Sequence, residues 1–404
     1  MLVLVINCGS SSLKFQLIDT ATRVRRASGN IERIGAVSST ATIQTGNDKK
    51  QRQGLTTRDH GEAMRFVLGY LLDKKSAVIN AVTDIEAVGH RIVHGGERFT
   101  ESVLIDDDVI DAISDAFDLA PLHNPANLKG VEAARKALSD VPHIAVFDTA
   151  FHQTLPKQAY LYALPVRLYR RHKIRRYGFH GPSHYFVSRR LYERAGLPKA
   201  NSRVITCHLG NGTSMAAIHN GESIDTSMGL TPLAGLVMGT RSGDIDPSIV
   251  FEIVEKEEIS LNEAHALLNR HSGLLGMSGY ASDMRDILQE AGAGDVRCRE
   301  AIEVFCYRAR SYLGQYMAVL NGCDAIAFTA GIGENSPVIR TRICSNLQRL
   351  GIELDEDRNR QAVGKEMLIS ANHSAVQVWV IPTDEELVIA IDAMKIAKSV
   401  AGSQ

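Results

Sequence analysis

Two arginines, a histidine and an aspartate have the character needed to handle anionic groups. Arg91 lies in Gly89-His-Arg-Ile-Val-His-Gly-Gly96 and Arg241 in Met238-Gly-Thr-Arg-Ser-Gly243. Both are expected in glycine-containing turns, where a forked guanidinium can hold carboxylate or phosphoryl oxygens in fixed geometry. A lone arginine is ordinarily one half of a solvated surface ion pair, but these motif contexts favour function. His180 follows Tyr177-Gly-Phe and precedes Gly-Pro, so it reads as a loop residue able to donate to a transferring phosphoryl group. Asp148 ends the apolar run Ile144 to Phe147. A strand tip that presents the carboxylate and a helix N-cap before Thr-Ala-Phe are equally good readings of it. His180 and His184 are four apart, but Pro182 between them and the missing Glu spoil a zinc-binding helix pattern. For His184, as for His90, His94 and His123, a buried, hydrogen-bonded structural histidine is the plain reading.

Three turns rich in small residues follow apolar strands. Leu2 to Ile6 leads into Asn7, Gly9 and Ser10 to Ser12, and resumes at Lys14 to Ile18. Arg203 to Cys207 leads into His208-Leu-Gly-Asn-Gly212, and Ala325 to Thr329 into Ala330-Gly-Ile-Gly-Glu-Asn335. Such turns expose backbone N–H groups as a concave nest for phosphate oxygens. One alone would be simply a turn; three suggest a nucleotide. None has the Walker spacing, and Gly331-x-Gly333 lacks the dinucleotide fingerprint, so another phosphate-binding fold is required.

The elements that must carry these groups show a repeat. Strand, polar turn, strand recurs two hundred residues on, as expected of two related halves. A chain of 404 residues suits two domains of roughly 150 to 200 residues each, with the boundary placed near Ala150. The third strand should run through its turn into a helix from Ser336, with Pro337 in the first turn and the helix N-terminus aimed at a ligand. Asn127 to Leu138, Glu300 to Leu320 and Glu385 to Ala401 have helical periodicity, and the last is expected to fold back onto the first lobe.

With 44% apolar and 23% charged residues and a net charge of -1, the chain offers no field for nucleic acid or an anionic membrane. The basic run Arg170 to Arg176 reads as a solvated face. Six cysteines far apart fit a reducing compartment, taken as the cytoplasm. Leu2 to Ile6 is too short for a membrane span and lacks the basic flank of a signal peptide.

Ten motifs, in family order, resemble those of acetate kinases. They are Asn7 to Lys14, Gly89 to Gly96, Ala120 to Asn124, Ala145 to Thr149, Arg176 to Gly181, His208 to Gly212, Asp225 to Pro232, Met238 to Gly243, Gly331 to Asn335 and Pro382 to Glu386. The resemblance covers nearly the whole chain. It implies an α/β fold of two duplicated actin-like (ribonuclease H-like) lobes around a nucleotide cleft, as in actin, sugar kinases and Hsp70. Residues 1–150, joined by the C-terminal helix 385–401, would form the first lobe, and residues 151–384 the second, nucleotide-binding lobe. The implied reaction is reversible, Mg²⁺-dependent transfer from ATP to acetate, giving acetyl phosphate and ADP, with Mn²⁺ able to substitute. Kinases for propionate or butyrate are the nearest alternative. A non-metabolic actin- or Hsp70-like ATPase is another, although it would have no need for the paired arginines.

Roles follow from the same resemblance. Arg91 orients substrate, Arg241 and His180 stabilise the transition state, and Asp148 is an active-site acid arranging metal and Arg91. Val93, Leu122, Phe179 and Pro232 form the acetate methyl pocket. Lys14, Ser10 and Ser12 reach phosphate oxygens, as do His208, Leu209, Gly210, Asn211 and Gly212. Asp283, Met284 and Arg285 serve the base, with Met284 covering its face, and Gly331, Ile332, Gly333, Glu334 and Asn335 the adenosine. Asn7 and Glu385 supply hard oxygen groups for Mg²⁺. A homodimer is implied. Three departures stand out: Ala234 where an acid is common, Ala330 where Gly is common, and Asp384 where Asn is common beside the metal carboxylate.

Overall fold

A computed structural model describes residues 1–73, 76, 78–121 and 123–402. They form two compact units, Met1–Ala150 with Asp384–Gln404, and Phe151–Thr383.

The first unit is built on strands β1 (Leu2–Gly9), β2 (Ser12–Asp19), β3 (Val24–Glu32), β4 (Ser39–Thr45), β5 (Gln51–Leu55), β6 (Ile85–Ile92), β7 (Val103–Leu104) and β8 (His143–Phe147). Their order is β5-β4-β3-β2-β1-β6-β8-β7. The β-branched run Val3, Val5, Ile6 suits a strand buried on both faces, and β1 pairs antiparallel with β2 and parallel with β6. Alternation along the meander sends Leu13, Phe15, Leu17, Ala41 and Ile43 into a core shared with Ala63, Met64 and Val67 of the helix His60–Leu72. The helix Glu385–Ala401 packs on β1, β6 and β8. Gly89 permits that approach, because a Cβ there would stand 2.6 Å from Ile389 Cγ2. The Asp384 carboxylate caps this helix, accepting from Leu387 N at 3.0 Å.

The second unit has strands β9 (Arg203–Leu209), β10 (Thr213–His219), β11 (Glu222–Thr226), β12 (Ala325–Thr329), β13 (Met367–Leu368) and β14 (Gln377–Val380), ordered β11-β10-β9-β12-β14-β13. Three antiparallel strands followed by two parallel ones repeat the plan of β3-β2-β1-β6-β8. Phe305, Leu313 and Tyr316 of the helix Val296–Leu320 fill one face over Ile205, Met215 and Phe328. Val187 and Leu191 of the helix Gly181–Ala195 fill the other over Val204, Ala216 and Ala327. The architecture is the two-sheet α/β fold of duplicated actin-like lobes.

Two helices begin earlier than their periodicity indicates. Asn124–Ala137 takes in Pro125, which is tolerated in a first turn, and Val296–Leu320 starts where Asp295 caps the Cys298 N–H at 2.8 Å. The third turn also departs from expectation: Gly331 to Asn335 is itself helical, within Ala330–Asn335, and a second helix follows at Pro337–Cys344.

Candidate active site

In the first unit, parallel pairing of β6 with β8 sets Arg91 opposite Val146 and brings Asp148, just past β8, to the strand tip. Arg91 therefore sits at a strand end, not in a turn. Its Nε donates to Asp148 Oδ1 at 2.9 Å and its Nη2 to Oδ2 at 2.6 Å. Asp148 is 1% exposed and its own N–H donates to Ile92 O, so the strand-tip reading holds and the N-cap reading does not. Burial opposes the Arg91 charge, but the Asp148, Glu385 and Glu386 carboxylates outweigh it and raise the guanidinium pKa. Glu385 opens the C-terminal helix; burial pushes its carboxyl up to about 7, against Arg91 and with the help of Asp148 and Glu386.

Val93 is buried immediately after β6. Its N–H donates to Asn127 Oδ1 at 3.0 Å, and Asn127 Nδ2 donates to Cys8 O at 2.7 Å. One helical turn earlier, Asn124 holds both backbone groups of His94. Asn127 thus ties the Val93 segment to the end of β1, and Asn124 holds the residue that follows Val93. The signal that points to them is a pair of asparagines three apart in a helix's first turn, on one face. Asn7 is opposite Lys14 in the β1–β2 register, Ser10 is in the connecting turn and Ser12 opens β2. Leu122 lies outside the described residues.

In the second unit, His180 is the N-cap of the helix Gly181–Ala195, in the left-handed region at φ 56°. Its Nδ1 meets Ser214 Oγ at 2.9 Å; the same hydroxyl meets His184 Nε2 at 2.8 Å, and His184 Nδ1 meets Thr206 Oγ1 at 2.7 Å. Burial drives the His184 pKa well down, so this chain holds a neutral imidazole at its centre. His180 stacks on His208 with ring centroids 4.2 Å apart, and His208 Nδ1 meets Ser183 Oγ at 2.8 Å. His90 is structural as well, bonded to His143 at 2.9 Å.

Arg241 and His180 converge on the turn between β9 and β10. A Cβ on Gly212 would stand 2.7 Å from Arg241 Nη2 and 3.4 Å from His180 Nε2, so only glycine leaves that approach open. Arg241 Nη1 donates to Pro232 O at 2.7 Å, and the Gly239 N–H to Asn211 O at 2.9 Å, joining the Arg241 loop to the same turn. Burial lowers the Arg241 pKa to about 10. Phe179 is buried, and its carbonyl accepts from His152 Nε2 at 3.0 Å. Leu209 is buried at the end of β9, and Gly210 N donates to Gly212 O.

The nucleotide residues are placed less uniformly. Asp283 caps the helix Met284–Ala293 and pairs with the exposed Arg285 at 2.6 Å. Met284 is 3% exposed in the core with Ile287 and Phe305, so its side chain is not available to cover a base. Gly331, Ile332, Gly333, Glu334 and Asn335 lie in the short helix after β12. Glu334 Oε1 itself accepts from Ala330 N at 2.7 Å and from Thr383 N at 3.1 Å, while the helix expected from Ser336 runs over Pro337–Cys344 with Ser336 as its N-cap. Buried Arg340 donates to Gly333 O at 2.8 Å and fixes this segment; its signal in the sequence is no more than a lone arginine in a helix.

An ordered set of anion-holding groups on two duplicated lobes matches one family profile, described as the acetokinase family, over residues 2–391. The chain belongs to the acetokinase family. It is 52% identical to the acetate kinase of Thermotoga maritima over 404 residues, covering 99% of this chain and 100% of the relative. The crystal structure of Porphyromonas gingivalis acetate kinase superposes with a TM-score of 0.94 at 44% identity, covering 98% of this chain and 99% of that one. That of a propionate kinase from Francisella tularensis gives 0.91 at 42%, with the same coverage. The family's chemistry is phosphoryl transfer to a carboxyl acceptor.

Among the described residues no group of three or more His, Cys, Asp or Glu side chains is placed to enclose a metal. Mg²⁺ keeps several waters and commonly uses one or two carboxylates. The hard oxygens of Asn7 and Glu385 suit that mode, and a cation would relieve the repulsion that Asp148 and Glu386 exert on Glu385.

Proposed function

We propose that this chain is an acetate kinase, transferring the terminal phosphoryl group of ATP to acetate in a reversible, in-line reaction. The observation that carries the reading is Arg91, forked onto Asp148 and two residues from the buried Val93: a carboxylate clamp beside a small apolar wall. A carboxylic acid with a pKa of about 4 is already ionised at neutral pH, so the acceptor needs no general base. An acetate oxygen forms the bond to the γ-phosphorus as the bridging bond to the β-phosphate breaks, and ADP leaves with the electron pair. The obstacle is charge, so positioned cations and donors are what accelerate the step. Arg91 holds the acceptor carboxylate, while Arg241 and His180 donate to the equatorial phosphoryl oxygens. His208, Gly210 and Gly212 cradle the nucleotide phosphates, with Lys14, Ser10 and Ser12 reaching phosphate oxygens from the first unit. Asn7 and Glu385 would hold Mg²⁺, which supplies charge neutralisation to the phosphates when bound.

Val93 walls the acetate methyl in this reading and favours acetate over propionate. One methylene is worth about 1 to 3 kcal/mol in such a pocket, so propionate remains a poor substrate. The test is kcat/KM for both acids in wild type and Val93→Ala. The variant should shift the ratio toward propionate; an unchanged ratio removes Val93 from the pocket.

A homodimer is part of the same reading, by the family resemblance. All six cysteines are free thiols, which suits the reducing cytoplasm.

A further inference from the structure

Behind His180 runs a chain of side-chain hydrogen bonds whose direction can be worked out. His180 and His184 are four apart at the start of one helix and so share a face. In the β9–β10 register Thr206 is opposite Ala216 and His208 opposite Ser214, which puts Thr206 and Ser214 on one face of the sheet. Thr206 Oγ1 lies 2.7 Å from His184 Nδ1, His184 Nε2 lies 2.8 Å from Ser214 Oγ, and Ser214 Oγ lies 2.9 Å from His180 Nδ1. Thr206, His184 and Ser214 are each 0% exposed, so bulk water offers their polar atoms no alternative.

Which atom donates at each step follows from counting hydrogens. A neutral imidazole has one N–H and one bare nitrogen, and a hydroxyl donates once. Burial, with His152 and His208 close by, keeps His184 neutral, so two directions are open. In the first, Thr206 donates to His184 Nδ1, His184 Nε2–H donates to Ser214 Oγ, and Ser214 donates to His180 Nδ1. In the second, His180 Nδ1–H donates to Ser214, Ser214 to His184 Nε2, and His184 Nδ1–H to Thr206 Oγ1. The second strands a hydrogen, because among the described residues Thr206 Oγ1 has His184 alone as its partner. A buried donor left unpaired costs about 1 to 3 kcal/mol, and the first direction leaves none. It also leaves His180 Nδ1 as an acceptor, with the ring proton on Nε2. Nε2 is the atom on the side of the β9–β10 turn, 3.4 Å from where a Gly212 Cβ would stand, and Arg241 Nη2 approaches the same point.

We propose that Thr206, His184 and Ser214 are positioning residues that hold His180 as the Nε2–H tautomer, so that it presents a hydrogen-bond donor beside Arg241. The direction of the bonds is independent of the reaction, whereas their use, to offer that donor to a phosphoryl oxygen, rests on the proposed kinase reading.

The test is nitrogen-15 NMR of the full chain, histidine-labelled and without nucleotide, at neutral pH, where long-range proton–nitrogen correlations distinguish the two tautomers. The His180 ring is identified as the signal missing from His180→Ala. In wild type its proton should be on Nε2 and its Nδ1 bare. Thr206→Val removes the hydroxyl that sets the direction, so a share of the His180 proton should move to Nδ1. The same variant should lower kcat by about ten-fold, with KM for acetate and ATP little changed. Thr206→Ser, which keeps the hydroxyl, should restore both the spectrum and kcat. A wild-type proton on His180 Nδ1 overturns the proposal, and that spectrum decides even if Thr206→Val does not fold. A folded Thr206→Val with wild-type spectrum and kcat overturns it as well. Nε2–H in a protein that forms no acyl phosphate would leave the direction standing and sink the kinase reading; acyl phosphate made with the proton on Nδ1 would do the reverse.

Discussion

Arg91 and Asp148 meet side by side at the ends of β6 and β8, two guanidinium nitrogens on two carboxylate oxygens at 2.9 and 2.6 Å. A planar fork so held has one edge fixed and the rest of the group aimed, which suits capture of a second carboxylate. Asp148→Asn keeps the shape and loses the charge. It should lower kcat/KM for acetate by about 10² to 10³, the usual scale for a misplaced electrostatic group. Steady-state kinetics with acetate varied check this, and a loss below three-fold or so would mean that Asp148 does not orient Arg91.

Arg241→Ala removes a cation that matters most as charge develops on the phosphoryl oxygens, and should lower kcat by about 10² or more with KM for acetate little changed. Arg241→Lys should rescue little, because an ammonium cannot both bond Pro232 O and reach past Gly212 as the fork does. Near-wild-type turnover in either variant would take Arg241 out of the mechanism.

Periodicity made the long elements legible: β12 and the helix Glu385–Ala401 have the bounds that the sequence suggests. The duplicated strand-turn-strand plan was legible too, since apolar runs stopping at small residues have few other uses. Short-range tertiary choices were not. Gly331 to Asn335 reads as a loop, because two glycines disfavour a helix, yet Glu334 and Arg340 bond into it and fix a helical turn. Met284 looks available because side-chain direction is set by which helix face meets the core, which a single residue cannot reveal. Nor does the sequence reveal that Asn124 and Asn127 satisfy backbone groups far along the chain.

Ala330 occupies the left-handed region at φ 62°, at a position where the family's motif commonly has glycine. A Cβ there costs about 1 to 2 kcal/mol relative to the right-handed form, part of which glycine returns as chain entropy in the unfolded state. Ala330→Gly should therefore raise stability by about 0.5 to 1 kcal/mol. Urea unfolding measures it, and a lower midpoint with unchanged slope would contradict the strain.

His152 is fully buried between Ser223 Oγ and Phe179 O, and burial lowers its pKa from 6.5 to about 4. The unfolded chain therefore binds the proton more readily than the folded one between those values. Stability is complete above pH 6.5 and falls as pH drops toward 4. Comparing urea midpoints at pH 7 and 5, the loss should be about 1 to 2 kcal/mol smaller in His152→Gln than in wild type. Equal losses would show that His152 does not titrate in this window.

The central claim is that the clamp of Arg91, with Arg241 and His180, carries phosphoryl transfer to a carboxylate. Purified protein incubated with acetate, ATP and Mg²⁺ in the presence of hydroxylamine tests it directly, because only an acyl phosphate is trapped as a hydroxamate. Acetohydroxamate should accumulate in step with ADP, and Arg91→Ala should abolish both together. ADP formed without hydroxamate would mean a nucleotide hydrolase on this fold, and would contradict the account.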